Sequence, residues 1–121
     1  MTKQQQLFSL VHEVTEFCLA HFGRCFTGWS REKIFMHIGN SAMRGEIFVI
    51  RKCGEIKAMA VIQRTTKGVL IGNVIGTRDS CREIFRRAVK QWPGVTRYFS
   101  YRFRHGQPQL VEFKGIERFC R

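Results

Sequence analysis

The segment that decides the fold is 46–91, EIFVIRKCGEIKAMAVIQRTTKGVLIGNVIGTRDSCREIFRRAVKQ. Within it, residues 46–50, 55–63 and 69–75 are rich in β-branched and other apolar side chains, which predicts three strands. The two links between them are short, and each contains a glycine suited to a tight turn. Three strands joined in this way form an antiparallel meander. The strand over 55–63 is apolar on both faces, which predicts a central position in the sheet.

After the third strand the apolar period changes from two to about 3.6 residues, which predicts a helix over 79–91. Gly76 ends the strand, and either Asp79 or Ser80 is expected to cap the helix. Trp92-Pro93-Gly94 follows, and it predicts the end of the helix. The inner face of this helix carries Ile84, Phe85, Ala88 and Val89, and the outer face carries Arg82, Arg86, Arg87 and Lys90.

Two helices are expected before the meander. Over 4–21 an apolar residue recurs at every third or fourth position, which predicts a helix with one buried face. Gly23 follows, and glycine is the residue that most often ends a helix. A second, shorter helix is predicted to begin after Ser30, its N-cap, and to end at the Gly39-Asn40 pair.

Two more strands, 95–103 and 109–113, are predicted after the helix over 79–91, with a turn at 104–108 between them. The whole order is then α-α-β-β-β-α-β-β. Helices and strands neither alternate strictly nor segregate fully, so we expect an α+β fold with a mostly antiparallel sheet of about five strands. No linker or repeat divides the chain, and we expect one domain over 1–121.

Composition agrees with one globular domain. The chain has 121 residues, of which 44% are hydrophobic, including 11 Phe. This is enough apolar surface for one core at roughly 25 cal/mol per Å² buried. A disordered chain would instead combine low hydrophobicity with high charge.

The net charge of +12 is unevenly distributed. Residues 1–63 carry eight Lys and Arg against five acids, a balance of +3, whereas 64–121 carry thirteen against four, a balance of +9. Ten of those thirteen are Arg, whose planar guanidinium binds phosphate or carboxylate through two hydrogen bonds. We therefore expect the second half to meet an anion, such as a nucleotide cofactor, nucleic acid or an acidic protein.

The cysteines indicate a reducing compartment. There are five, an odd number, and none has CxxC spacing. No secretory signal pattern or membrane-length apolar run is present, so we expect a cytoplasmic protein with no membrane partner and with free thiols. Cys18, His21 and Cys25 share a helical spacing, but Gly23 lies between them and no fourth ligand is near. Buried thiols are favoured over a metal site.

The junction between the third strand and its helix is a candidate anion site. A helix N-terminus presents unpaired backbone N–H groups and the positive end of the helix dipole, and both attract anions. Arg78 and Arg82 would add two guanidinium groups on the same turn. An ordinary capped helix with a solvated Arg82 remains the alternative.

The element order resembles that of the GCN5-related N-acetyltransferase superfamily, in particular its short, divergent phage members. Residues 45–50 and 54–61, GEIFVI and GEIKAMAV, are similar to the second and third strands of that family. The resemblance covers roughly residues 4–103. It implies that an acyl-CoA, such as acetyl-CoA, binds at the loop after the following strand. It also implies an acyl acceptor that is an amine.

That resemblance assigns residues to cofactor binding and catalysis. The family's pyrophosphate loop reads Gln/Arg-x-x-Gly-x-Gly/Ala, whereas this chain has GNVIGTRDS at 72–80 and matches only at Gly76 and the helix start. The catalytic Glu often found on the preceding strand is absent, and the general acid would be Tyr98 or Tyr101. The implied cofactor-binding residues are Ile75, Gly76, Thr77, Arg78, Asp79, Ser80 and Arg82.

A non-catalytic module that binds nucleic acid or an acidic protein is the alternative function. Residues 97–105, RYFSYRFRH, alternate so that Arg97, Phe99 and Tyr101 share one face of a strand. Aromatic side chains on an exposed sheet can stack on bases while arginines hold phosphates. Burial of these aromatic side chains in the core is the competing, and favoured, interpretation. The residues assigned to nucleic acid are Arg82, Arg86, Arg87, Lys90, Arg97, Arg102 and Arg104.

Overall fold

The computed structural model describes residues 2–21 and 25–113, and for 102–104 only the backbone. The predicted helix end at Gly23 lies outside the described residues. The elements in chain order are α1 (Lys3–His21), α2 (Arg31–Met43), β1 (Ile47–Lys52), β2 (Glu55–Arg64), β3 (Val69–Gly76), α3 (Arg78–Gln91), β4 (Tyr98–Arg104) and β5 (Gln107–Phe113).

The five strands form one mixed sheet in the order β1-β2-β3-β4-β5. Neighbouring strands pair antiparallel except β3 and β4, which run parallel because α3 connects them. The prediction of an α+β fold with about five mostly antiparallel strands is confirmed. β2 lies between β1 and β3, as its two apolar faces indicated, while β3 is the middle strand. The strand order differs from that of a canonical member of the acetyltransferase superfamily.

Each face of the sheet is covered by a different set of helices. On one face α1 and α2 bury an apolar cluster that includes Val14, Ile38, Met59, Val61 and Ile75. On the other face α3 buries a cluster that includes Ile50, Ile62, Ile71, Ile84 and Tyr98. β2 contributes to both clusters, which explains why its side chains are apolar without strict alternation.

The second helix is longer than predicted, because Gly39 does not end it. α2 continues to Met43, and a β-carbon placed at Gly39 would lie 3.8 Å from Cγ1 of Val11, so α1 packs closely there. Ser41 is fully buried on the continued stripe. Arg44 is the C-cap, and Gly45 follows it with a φ of +70° and donates its N–H to the carbonyl of Ala42 at 3.0 Å.

The N-cap of α3 lies two to three residues before the predicted one. Thr77 caps the helix and accepts a hydrogen bond from the Ser80 N–H at 3.4 Å, so neither Asp79 nor Ser80 is the cap. Threonine is also a favoured N-cap residue, so residue type alone does not distinguish Thr77 from the two predicted caps. The last strands also shift: β4 begins at Tyr98 rather than 95, because Val95 donates to the Trp92 carbonyl within the preceding turn.

The predicted five-residue turn at 104–108 is in fact a two-residue hairpin. His105 and Gly106 both take positive φ, 53° and 75°, as a type I′ turn requires. β5 therefore begins at Gln107, and β4 and β5 pair over seven residue pairs. This hairpin is the outer edge of the sheet.

A salt bridge joins the first helix to the sheet. Arg51 on β1 binds both carboxylate oxygens of Glu13 on α1, and the contact to Oε2 measures 2.8 Å. The hydrogen bond from Arg51 lowers the pKa of Glu13, although partial burial acts against it. Among the described residues, no helix has both the length and the apolarity to cross a membrane.

Candidate anion-binding site beside a gap in the sheet

The parallel pairing between β3 and β4 is short. It covers Val69 with Tyr98, Leu70 with Phe99, and Ile71 with Ser100, and then it stops. β3 continues to Gly76 paired with β2 alone, while β4 continues to Arg104 paired with β5 alone. The two strands therefore separate toward their carboxyl ends, which leaves a gap in the sheet beside the start of α3.

A β-bulge explains where the separation begins. In the β2–β3 ladder Ile62 pairs with Ile71 and Ala60 pairs with Val74. Two residues of β3, Gly72 and Asn73, therefore stand opposite Val61. An extra residue of this kind bends its strand, and bulges are frequent beside functional sites. Here the bulge comes directly after Ile71, the last residue of β3 that pairs with β4.

The start of α3 lies at the carboxyl end of β3, beside this gap. Four backbone N–H groups at a helix start lack intrahelical partners. The N–H of Thr77 donates to the Lys57 carbonyl at 3.1 Å, and that of Ser80 donates to the Thr77 hydroxyl. Within the described residues, the N–H groups of Arg78 and Asp79 have no such partner, and both residues are exposed. Two amides are therefore available to an anion.

Gly76 has a structural role at this junction rather than a role in ligand approach. A β-carbon there would lie 2.4 Å from the Lys57 carbonyl oxygen and 2.5 Å from the Ala58 Cα. The glycine thus permits β3 to end against the backbone of β2. Its place in the assigned cofactor loop is explained by packing alone.

The side chains assigned to the cofactor divide into two groups. Ile75 is 6% exposed and belongs to the core under α1 and α2, and Ser80 is fully buried. Arg78 and Asp79 are exposed and Arg82 is half-buried. The guanidinium groups of Arg78 and Arg82 make no ion pair with any described residue. Two arginines and two amides therefore converge on one helical turn, with Asp79 as an opposing charge.

The two candidate general acids lie on opposite faces of β4. Tyr98 is 1% exposed and packs in the cluster beneath α3. Tyr101 is 54% exposed on the other face. It follows Ser100, the last residue of β4 that pairs with β3. Of the two, Tyr101 is the one whose side chain is accessible from solvent. We expected Phe99 and Tyr101 to be buried together in the core. This prediction is confirmed for Phe99 and is wrong for Tyr101.

The basic residues assigned to nucleic acid are likewise split between the two faces. α3 packs on the face that holds Tyr98, so its outer arginines lie on that side of the sheet. Arg97 lies over the Phe99 ring at 5.0 Å on the opposite side. Arg87 is also engaged, with Glu83 at 3.7 Å and the Val49 carbonyl at 3.4 Å. The side chains of Arg102 and Arg104 lie outside the described residues.

One polar pair beside the bulge was not singled out from the sequence. His37 Nε2 of α2 lies 2.8 Å from Oδ1 of Asn73 on β3. The ring of His37 is flanked edge-on by Phe26 and Trp29, at 5.9 and 5.5 Å. Asn73 is the polar side chain of an otherwise apolar strand, β3, and this contrast could have marked it in the sequence. Its partner on α2 is 36 residues away, and only the fold brings the two together.

Of the four described cysteines, Cys18 is buried, Cys25 and Cys81 are half-buried, and Cys53 is exposed in the β1–β2 turn. Burial, and secondarily the nearby Cys25, raises the pKa of the Cys18 thiol to about 12. Burial also raises the pKa of Cys81 on α3, against the lowering that the helix start would favour. Cys25 donates a long hydrogen bond of 3.7 Å to the Val74 carbonyl. Within the described ranges no three His, Cys, Asp or Glu side chains are grouped as metal ligands.

Comparison of the chain with protein-family models, with curated protein sequences and with solved structures finds no match.

Proposed function

We propose that this domain binds an acyl-CoA, such as acetyl-CoA, at the start of α3 and transfers the acyl group to an amine. The observation that carries the proposal is the gap between β3 and β4, the one parallel pair in the described sheet. In open α/β sheets, ligands bind in a crevice outside the carboxyl ends of the parallel strands, and the gap lies at the corresponding ends of β3 and β4. The resemblance of the element order to the GCN5-related N-acetyltransferases supports the same place.

The charges at this gap suit a pyrophosphate. The free amides of Arg78 and Asp79 and the positive end of the α3 dipole attract an anion. The guanidinium groups of Arg78 and Arg82 form no ion pair with a described acid and can add charge-assisted hydrogen bonds. Asp79 opposes an incoming phosphate through its side chain, while its own amide remains usable.

The chemistry proposed for the gap is an attack of the amine nitrogen on the thioester carbonyl carbon. The C–N bond forms and the C–S bond breaks. The leaving thiolate takes a proton from a general acid, and the proton that the amine nitrogen loses passes to solvent, from which the general acid is protonated again. Tyr101 is the proposed donor, because its side chain is exposed and it lies where β3 and β4 cease to pair. Tyr98 cannot share this role, because it is buried under α3.

Calorimetric titration with acetyl-CoA and with acetyl-pantetheine, which lacks the pyrophosphate, tests the binding site. We expect acetyl-CoA to bind clearly more tightly. Arg78→Ala should weaken acetyl-CoA binding about 10-fold or more, since it removes a charge-assisted hydrogen bond. Arg87→Ala is the matched control, because it removes the same charge from the same helix at a side chain held by Glu83. Equal losses from both variants would mean that net charge, not this site, binds the cofactor.

Mass spectrometry of a supplied amine, a polyamine or a lysine peptide, tests the transfer step without interference from the free thiols. We expect Tyr101→Phe to lower kcat by about 100-fold, and Tyr98→Phe to leave it unchanged. A full rate for Tyr101→Phe would remove that residue from the mechanism. Tight binding of acetyl-CoA without transfer to any amine would leave a binding module on this fold.

A further inference from the structure

One face of the β4–β5 hairpin is left bare by the helices. Tyr98 points toward α3, so strand alternation turns Phe99 and Tyr101 to the opposite face. Although α1 and α2 cover that face of the sheet, their core cluster is built on β1, β2 and the end of β3. Tyr101 is 54% exposed, and Leu110, paired directly with it on β5, is 50% exposed. Large apolar side chains therefore meet solvent here.

These side chains surround a hollow of about 210 Å³. This is below the roughly 300–1,000 Å³ of pockets that enclose a whole small molecule. It suits a single planar ring system, with the rest of the ligand outside. The lining is mostly apolar and comes from β3, β4, β5 and the β2–β3 turn: Thr65, Thr66, Lys67, Leu70, Phe99, Tyr101 and Leu110.

Among the described residues that line the hollow, Lys67 is the cation. Lys67 is exposed and makes no ion pair with a described residue. Arg97 is different, because its guanidinium binds Glu112 at 3.1 and 3.2 Å while it lies over the Phe99 ring. Arg97 is thus engaged by Glu112 and by the Phe99 ring, and Lys67 is the lining cation that a ligand can bind.

The side chains and the charge around the hollow favour one class of macromolecular partner over the others. Apolar and aromatic side chains beside a free lysine are the combination that stacks a base and holds a phosphate. A second copy of the chain would bring another strongly positive surface, since 64–121 alone carry +9. A duplex keeps its bases stacked inside, so none of them can enter the hollow.

We propose that this face binds single-stranded nucleic acid, with one base in the hollow against Tyr101 and a neighbouring phosphate on Lys67. The site lies on the face of the sheet opposite α3 and uses none of the α3 arginines. The proposal goes beyond acyl transfer and does not depend on it.

Fluorescence anisotropy with a labelled single-stranded oligonucleotide of about 15 nucleotides tests the proposal. The matched duplex and poly-glutamate serve as the other two ligands. We expect the single strand to bind most tightly at about 0.1 M salt. Tyr101→Ala should weaken its binding by about 5- to 100-fold through lost stacking. Tyr101→Phe keeps the ring and should bind like the wild type, even if acyl transfer is lost.

A matched pair of lysine variants locates the ligand on one face. Lys67→Ala should weaken single-strand binding several-fold and reduce the slope of log affinity against log salt by about 0.7. Lys90→Ala removes the same charge from exposed α3 on the other face and should change the affinity less. Leu110→Glu places a negative charge at the hollow and should also weaken binding. Its thermal melting, and that of Tyr101→Ala, verify that the variants are folded.

Three results would overturn the proposal. The first is wild-type affinity in both Tyr101→Ala and Leu110→Glu. The second is an equal loss in Lys67→Ala and Lys90→Ala, which would place the strand on α3 or in a non-specific field. The third is binding of the duplex or of poly-glutamate as tightly as the single strand, which would assign the surface to duplex or to an acidic protein.

Discussion

Gly76 takes a φ of +144° where β3 ends and α3 begins. This backbone conformation disfavours any residue with a β-carbon. Here a β-carbon would also meet the backbone of Lys57 and Ala58 at 2.4–2.5 Å. Gly54, in the β1–β2 turn, has a φ of +79° but nothing within 4 Å of the same position. A substitution at Gly54 would therefore cause conformational strain alone, whereas one at Gly76 would cause both strain and a steric clash.

Gly76→Ala should lower the free energy of unfolding by about 3 kcal/mol or more, because strain and clash act together. Gly54→Ala, which has strain alone, should cost about 1–2 kcal/mol. Urea unfolding followed by circular dichroism measures both. An equal loss of unfolding free energy in the two variants would show that β2 moves away from the new methyl group at no energetic cost. In that case the explanation of Gly76 by packing would fail.

Strand alternation predicts which residues share a face of β4, but not which of the two faces is buried. Alternation correctly placed Tyr98 and Tyr101 on opposite faces of β4. It could not tell which face would be covered. α3 buries Tyr98, while α1 and α2 stop short of Tyr101. That choice depends on where helices from elsewhere in the chain lie.

At the scale of elements, the β4–β5 hairpin is the least anchored part of the described sheet. β4 joins β3 through three residue pairs, whereas β2 pairs along both its edges and is buried on both faces. The hairpin is well paired internally, over seven residue pairs. Its attachment to the rest of the molecule is therefore weaker than its own pairing.

Hydrogen exchange should reveal this difference. Backbone amides of β2 and β3 should exchange most slowly, and those of β4 and β5 about 10-fold faster or more, since local opening requires the loss of few contacts. Mass spectrometry of peptic peptides measures the rates. β1, an edge strand with six pairs to β2, is the internal control. Exchange in β4 and β5 as slow as in β2 would show that more than three pairs hold the hairpin.

At the scale of the whole molecule, the +12 charge acts against the compact state. Ion pairs offset part of it, chiefly in the first half, where Glu13, Glu16 and Glu46 are each bound by an arginine. Exposed pairs of this kind contribute little. The repulsion among the remaining cations is long-range, and salt screens it.

The melting temperature should therefore rise by a few degrees between about 0.01 and 0.1 M NaCl, as the Debye length falls from about 30 to about 10 Å. Differential scanning calorimetry measures the change. Chloride is the appropriate salt, because sulfate would also bind the proposed anion site and stabilise by mass action. A fall in melting temperature with NaCl would mean that the surface ion pairs outweigh the repulsion.

Local patterns were enough to predict most of the elements. The apolar periods of 46–91 correctly indicated three strands and a helix, and the short turns between them implied an antiparallel meander. Errors arose where two local signals competed. Gly39 indicated a helix end, but the buried face of α2 continues to Ser41 and Gly39 itself packs against Val11 of α1. At α3, Thr77, Asp79 and Ser80 were all chemically able to cap, and strand pairing of Gly76 decided in favour of Thr77.

The fold class, the charge asymmetry and the position of the candidate anion site could all be predicted, because each depends on residues close together in the chain. The fold was needed to show that β3 and β4 separate after three pairs, that His37 meets Asn73, and that the α3 arginines and Tyr101 occupy opposite faces. These features depend on contacts between residues far apart in sequence. Their geometry is set by the bulge in β3 and by where three helices pack, and no local pattern encodes either.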